Sequence, residues 1–214
     1  MTKPLLIAFD GPAASGKGTL ASVIAADYGL PFLDTGLLYR AAGHLAHVRD
    51  IDPAIAAGMI DAEILADEAL RGREAGERAS RVAAIPEVRA ALFKYQQDFA
   101  NQPSGAVLDG RDIGTVIAPH APVKLFITAR PEVRAHRRWL QLVKLDPALT
   151  EAEVLDDIRI RDDLFKSVCI RDERDSSRSS APLEMAEDAL LLDTSDLGID
   201  AAIATTRSLV KSRL

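Results

Sequence analysis

The sequence predicts an α/β fold with a doubly wound, five-stranded parallel sheet, and three observations carry that expectation. Short apolar runs recur at Leu5 to Phe9, Pro31 to Leu33, Ala106 to Leu108, Val123 to Thr128 and Ala189 to Leu192. Runs this short, apolar throughout rather than alternating, fit strands buried on both faces. Helix-compatible segments separate them, and the first run passes through a glycine-rich turn directly into such a segment. Alternation of this kind gathers ligands at the carboxyl ends of the strands.

Taken in order, the chain begins with strand, turn and helix, the helix running from Lys17 to Tyr28. From Tyr39 to Gln102 it is rich in Ala and Glu, poor in β-branched residues and free of period-two alternation, which predicts helices covering one side of a site. The zone Arg130 to Arg178 carries 11 Lys plus Arg against 11 Asp plus Glu, so most of it reads as a salt-bridged helical surface. At 214 residues and 48% apolar, the chain supports one sizeable core. A single domain is expected, with a core of residues 1–39, 103–130 and 183–214, an insertion over 40–102 and a closing segment over 131–182.

Composition narrows the partners. A formal net charge of -6 argues against a nucleic-acid polymer, because phosphate-backbone affinity comes from excess Lys and Arg. The first apolar run stops at Asp10, far short of the roughly 20 residues that span a bilayer, so no membrane partner and a cytoplasmic location are expected. Cys169 is the single cysteine, which rules out an intramolecular disulfide and a cysteine-based zinc site. His44 and His47 share helical spacing but read as ordinary surface histidines. The chain is expected to be a monomer.

The turn itself, "GPAASGKG", fits G-x-x-x-x-G-K with Gly11, Gly16 and Lys17 in register, after a strand and before a helix. Backbone N–H groups of Gly11, Pro12 to Ser15, Gly16 and Gly18 can close around phosphate oxygens wherever the residue carries one; Ala13 and Ala14 lie within the same arc. The helix start adds partial positive charge, and Lys17 can follow a phosphoryl group as it moves. Gly18 stands where most such loops carry Ser or Thr, and the hydroxyl comes one position later at Thr19. Neither an N-K-x-D nor an L-S-G-G-Q signature occurs, which weighs against a GTP switch and a transporter ATPase.

Three further stretches carry chemistry: "LDTGLLYR" at Leu33 to Arg40, "LDGRDIGTVIAP" at Leu108 to Pro119 and "RDERDSSRSSAPL" at Arg171 to Leu183. Tyr39 and Arg40 follow a strand end and a turn, so Arg40 can clamp an acceptor phosphate in bidentate fashion, whereas Tyr39 also fits a plain core position. Asp109 ends a strand, where a carboxylate can hold Mg²⁺ or its water shell, or can simply form a turn before Gly110. Arg134, Arg137 and Arg138 in "EVRAHRRW" are candidates for a lid.

With the loop, these motifs stand in the order and approximate spacing of bacterial cytidylate kinases, nucleoside monophosphate kinases of the P-loop superfamily, which the chain resembles over nearly its whole length. The resemblance implies ATP-dependent phosphorylation of CMP and dCMP with Mg²⁺, without a covalent enzyme intermediate. It implies an acceptor site that includes Thr35, Tyr39 and Arg40, and a cytosine reader made of Asp112 with Ser80 and Arg89. It also implies that Arg171, Asp175 and Arg178 contact sugar and phosphate. Lys17, Arg40, Arg171 and Arg178 are then the catalytic cations.

Two features depart from the family. Only 40 residues separate Tyr39 from Ser80, without a strand pattern where relatives often carry a small extra sheet, so a trimmed acceptor-binding insertion is expected. "DIRIRDD" at Asp157 to Asp163 is nearly repeated as "CIRDERD" at Cys169 to Asp175. The functional role is assigned to the second copy, because Arg178 and "APL" follow it, and the first copy reads as an extension of helix or lid. The rival readings are another small-molecule P-loop kinase, against which the missing D-G-F-P-R motif tells in the adenylate case, and a nucleotide-binding regulatory protein without transfer.

Overall fold

The computed structural model describes residues 4–172 and 183–214, with the side chains of 164–172 outside that description. Arg171 therefore lies in a described helix without a described side chain, and Asp175 and Arg178 lie outside the described residues. Five parallel strands form one sheet in the order β2-β3-β1-β4-β5. They are β1 (Leu6–Asp10), β2 (Phe32–Asp34), β3 (Ala106–Asp109), β4 (Val123–Thr128) and β5 (Leu190–Asp193), each within a residue or so of its predicted run.

Why this sheet is doubly covered is visible in β1. Its residues are all buried, yet they still alternate: Leu6 and Ala8 face one apolar cluster with Leu38, Leu92 and Ile113, while Ile7 and Phe9 face a second with Leu20, Ile24 and Val210. The first cluster is closed by α2 (Thr35–Arg49) and α6 (Pro86–Ala100), the second by α1 (Lys17–Tyr28) and α9 (Ile199–Lys211). The edge strand β5 differs from the buried strand expected, since Leu191 on it is exposed and only Leu192 is buried. An edge strand needs cover on fewer sides, and a four-residue run cannot reveal its place in the sheet order.

The insertion is helical throughout, as its composition predicts: α2, α3 (Pro53–Ala57), α4 (Ala62–Leu65), a 3₁₀ turn (Glu68–Arg71), α5 (Arg73–Val82) and α6. α2 and the three short pieces after it begin where an aspartate can cap free N–H groups, with Asp34, Asp52, Asp61 and Asp67 accepting from Leu37, Ala54, Ile64 and Ala69. A third, smaller apolar cluster joins α7 (Pro131–Leu142) to α8 (Glu151–Asp172), where Trp139 packs with Leu149, Val154 and Ile158 and donates its indole N–H to Leu149 O at 2.8 Å. Among the described residues, no helix is long and apolar enough to cross a membrane.

The connections leaving β1 and β4 run toward opposite edges of the sheet, so a crevice opens at their carboxyl ends. Gly11 sits at the mouth of that crevice with φ 146°, and a Cβ there would stand 2.0 Å from Ile127 O. Only glycine lets the chain turn so close to β4. The sheet core should dominate stability: Phe9→Ala, at a fully buried site, is expected to cost about 3–5 kcal/mol, whereas Phe93→Ala on exposed α6 surface should cost under about 1 kcal/mol. Urea unfolding of the two variants checks this.

Candidate active site

The turn after β1 wraps the start of α1. Ala14 and Gly16 take left-handed backbone, with φ 60° and 91°, which points successive peptide groups inward. No side chain caps α1 at Gly16, in contrast to the aspartate-capped helices of the insertion. Its first N–H groups are thus left to an anion. Residues Ala13 to Thr19 line a cleft of about 570 Å³, while Gly11 and Pro12 are not among its lining residues and shape the turn that leads to it.

Asp109 ends β3 beside this loop, in register with Phe9 of β1, and is almost fully buried. Its Oδ1 lies 3.3 Å from Lys17 Nζ and accepts no well-formed hydrogen bond. Burial pushes its carboxyl up to about 6, against the opposing pull of Lys17. A Cβ on residue 18 would stand 2.8 Å from Asp109 Oδ2, so Gly18 replaces the commoner Ser or Thr because the carboxylate occupies that space. Thr35 joins the same corner, donating its hydroxyl to Asp109 O at 2.8 Å. Asp10 plays a different part: it accepts from Ile113 N and Gly114 N, both at 2.7 Å, and pins the π-helical turn Ile113–Ile117 to β1. Burial raises Asp10 to about 7.

Across the cleft, Arg89 on α6 donates to Asp112 Oδ2 at 2.6 Å, which brings together two residues that the chain separates by 22 others. Ser80 on α5 lines the same end, its hydroxyl donating to Gly76 O at 3.0 Å. Tyr39 is half-buried there, its phenol raised by burial, with Arg89 and Asp112 as its charged neighbours. Arg40 reaches within 3.9 Å of Asp34 Oδ2.

Three further arginines, which sequence reasoning did not assign to substrate contact, line the same cleft. Arg111, between the two aspartates of its motif, and Arg138 on α7 are both pushed down to about 10, first by burial, with Arg161 adding repulsion at each. Arg161 on α8 is lowered as well, by burial first and then partly by Arg40. It belongs to the first copy of the near repeat, which sequence read as an extension of helix or lid. Its guanidinium lies so near α5 that a Cβ on Gly76 would meet it at 2.6 Å. Arg159, two residues earlier, points away toward Glu132 and Asp156 and is exposed. The signal available for Arg161 was its spacing from Ile158, three residues back on the same helix face, but the second copy offers an equivalent face.

The lid trio divides. Arg138 and Arg137 line the cleft, and Arg137 also braces the loop through Ser15 O at 3.4 Å and Thr194 O at 2.7 Å. Arg134 does not line it: its guanidinium is 4% exposed and bonded to Ala129 O, Ala13 O and Asp162. No group of three or more potential metal ligands exists among the described residues, His44 and His47 included.

A loop that leaves helix N–H groups free, a lysine beside a buried carboxylate, and an arginine-lined pocket facing them define a P-loop kinase of small molecules. The shikimate kinase of Bacteroides thetaiotaomicron has a similar fold, with a TM-score of 0.50 and 12% identity over 97% of each chain. A family model for cytidylate kinase matches residues 7–212. Curated cytidylate kinases of Cereibacter sphaeroides and Xanthobacter autotrophicus are 55% and 53% identical, over 92% and 98% of this chain and 90% and 98% of theirs. The chain belongs to the cytidylate kinase family.

Two outcomes test the corner around Asp109. Gly18→Ser, although it restores the commoner loop pattern, should lower kcat at least about tenfold by displacing the carboxylate from Lys17, measured in a coupled assay. The pKa of Asp109 lies above its ordinary 3.8, so the stability it lends is full below that value and is lost as pH rises through about 6. Unliganded protein should therefore lose on the order of 2–3 kcal/mol from this group between about pH 4 and 7. Asp109→Asn should flatten that part of the stability curve, leaving the slope due to Asp10.

Proposed function

We propose that this chain transfers the γ-phosphoryl group of ATP to CMP or dCMP, giving CDP or dCDP by direct in-line displacement. The observation that carries this reading is the Arg89–Asp112 pair, which faces the loop across one continuous cleft. Donor phosphates rest on the N–H groups of residues 13–19, and Leu140, Leu197 and Ile199, which also line the cleft, offer apolar surface to the donor's flat base. The acceptor phosphate lies among Arg40, Arg111, Arg138 and Arg161, whose mutual repulsion a dianion relieves. Arg171, Asp175 and Arg178 are assigned to sugar and phosphate on the family motif alone.

Mg²⁺ fits the same corner, because Asp109 is a buried carboxylate with an oxygen that accepts no hydrogen bond, and this ion uses few protein ligands beside phosphates and water. It would neutralise charge on the transferring group. Lys17 tracks that group, the arginines hold the acceptor oxygen in line, and closure of residues 131–182 over residues 40–102 excludes water. We further place the enzyme in the cytoplasm, acting as a monomer.

Base choice is the sharpest test. Cytosine offers an amino group where uracil offers an oxygen, and the Asp112 carboxylate attracts the first and repels the second. Asp112→Asn should cost CMP roughly 1–3 kcal/mol of binding while UMP loses less or gains. The ratio of kcat/KM for CMP and UMP, within a panel of nucleoside monophosphates, is the measurement, and an unchanged ratio would put the base reader elsewhere.

A further inference from the structure

Arg134 is the most thoroughly buried arginine beside the cleft, and the proposed reaction gives it nothing to do. Its Nε donates to Ala129 O at 2.8 Å, at the end of β4. One terminal nitrogen donates to Ala13 O at 3.2 Å and to Asp162 Oδ1 at 3.2 Å, and the other to Asp162 Oδ2 at 2.6 Å. Arg134 is 3% exposed and is not among the residues that line the cleft, so its role is to position other groups. It ties three parts together: the sheet, the donor loop and α8.

Both ends of this tie lie one residue from a functional group. Ala13 O precedes Ala14, which holds φ 60°, a left-handed conformation that residues with a side chain rarely adopt. The bond to Ala13 O fixes the peptide whose orientation that conformation demands, and Ala14 itself packs against the small core of α7 and α8. At the other end, Asp162 adjoins Arg161 and also favours the charge of Arg111. The same helix has a second tie on its far side, where Asp157 takes a bidentate bond from Arg73 of α5 at 2.7 and 3.1 Å, but that tie does not reach the loop.

We infer that Arg134 and Asp162 are a positioning pair that couples the conformation of the donor loop to the placement of Arg161, so that donor and acceptor bind with synergy. The inference rests on the reading of Arg161 as an acceptor-phosphate group. An occupied loop holds its left-handed turn, the turn presents Ala13 O, and the guanidinium so oriented holds Asp162 and the face of α8 that carries Arg161. The coupling is reciprocal, as linkage requires.

The experiment measures CMP dissociation constants by calorimetry, with and without a saturating non-hydrolysable ATP analogue, for the wild type and four variants. The analogue should tighten CMP binding at least about fivefold in the wild type. In Asp162→Asn and in Arg134→Lys, which keeps charge but cannot span three acceptors, the gain should fall below about twofold, with kcat reduced more than KM rises. Asp162→Glu should restore part of the gain. Arg159→Ala removes an exposed ion pair of the same helix with Glu132, away from the cleft, and should keep the full gain. Wild-type synergy surviving in Asp162→Asn, an equal loss in Arg159→Ala, or no synergy in the wild type would overturn the coupling. If the wild type binds another nucleoside monophosphate in place of CMP, the functional reading fails instead, and the same titrations with that nucleotide decide the coupling.

Discussion

The burial of one carboxylate at the end of β3 sets the terms for everything around it. Asp109 is buried, faces Lys17 at 3.3 Å and ends a strand paired in register with β1. A Cβ on residue 18 would crowd its Oδ2 at 2.8 Å, and the loop carries its hydroxyl one position later, at Thr19. The Asp109 carbonyl receives the hydroxyl of Thr35, which fixes the first turn of α2 and with it Tyr39 and Arg40. The loop, the end of β3 and the first turn of α2 thus share one anchoring residue.

Three aspartates stand close together here; Asp109 and Asp112 both repel Asp10, and each of the three is put to a different use. Asp10 spends both oxygens on backbone N–H groups of the π turn, Asp109 faces a lysine, and Asp112 faces Arg89. Burial raises the first two above the ordinary carboxylate range, which a site built only for stability would avoid. The arginines of the acceptor end show the opposite imbalance. Burial lowers Arg111, Arg138 and Arg161, and Arg161 repels each of the other two, while Asp162 and Asp157 offset part of this at Arg111 and Arg161.

The sequence carried a large share of this. A loop whose glycines and lysine lie between a strand and a helix that directly flank it is a local object, and local spacing is enough to specify it. The same is true of α1, predicted and found at Lys17–Tyr28, and of the strand cores, because runs of β-branched and leucine residues between turns leave few alternatives. The helical character of residues 40–102 followed from composition, since nothing there offered the alternation a sheet needs.

Other features depended on which surfaces meet. The near repeat offered two equivalent helix faces, and helical periodicity cannot say which one looks into a cleft. Contacts far apart in sequence answer that for the first copy: Arg73 with Asp157 and Arg134 with Asp162 fix the rotation of α8, and Arg161 follows. Arg134 read as a lid cation until its partners appeared, because a charged residue on an amphipathic helix looks the same whether it faces solvent or a buried carbonyl. Chain-local chemistry was therefore written in the sequence, whereas the assignment of like charges to binding or to bracing required the fold, since only packing determines which of them water can reach.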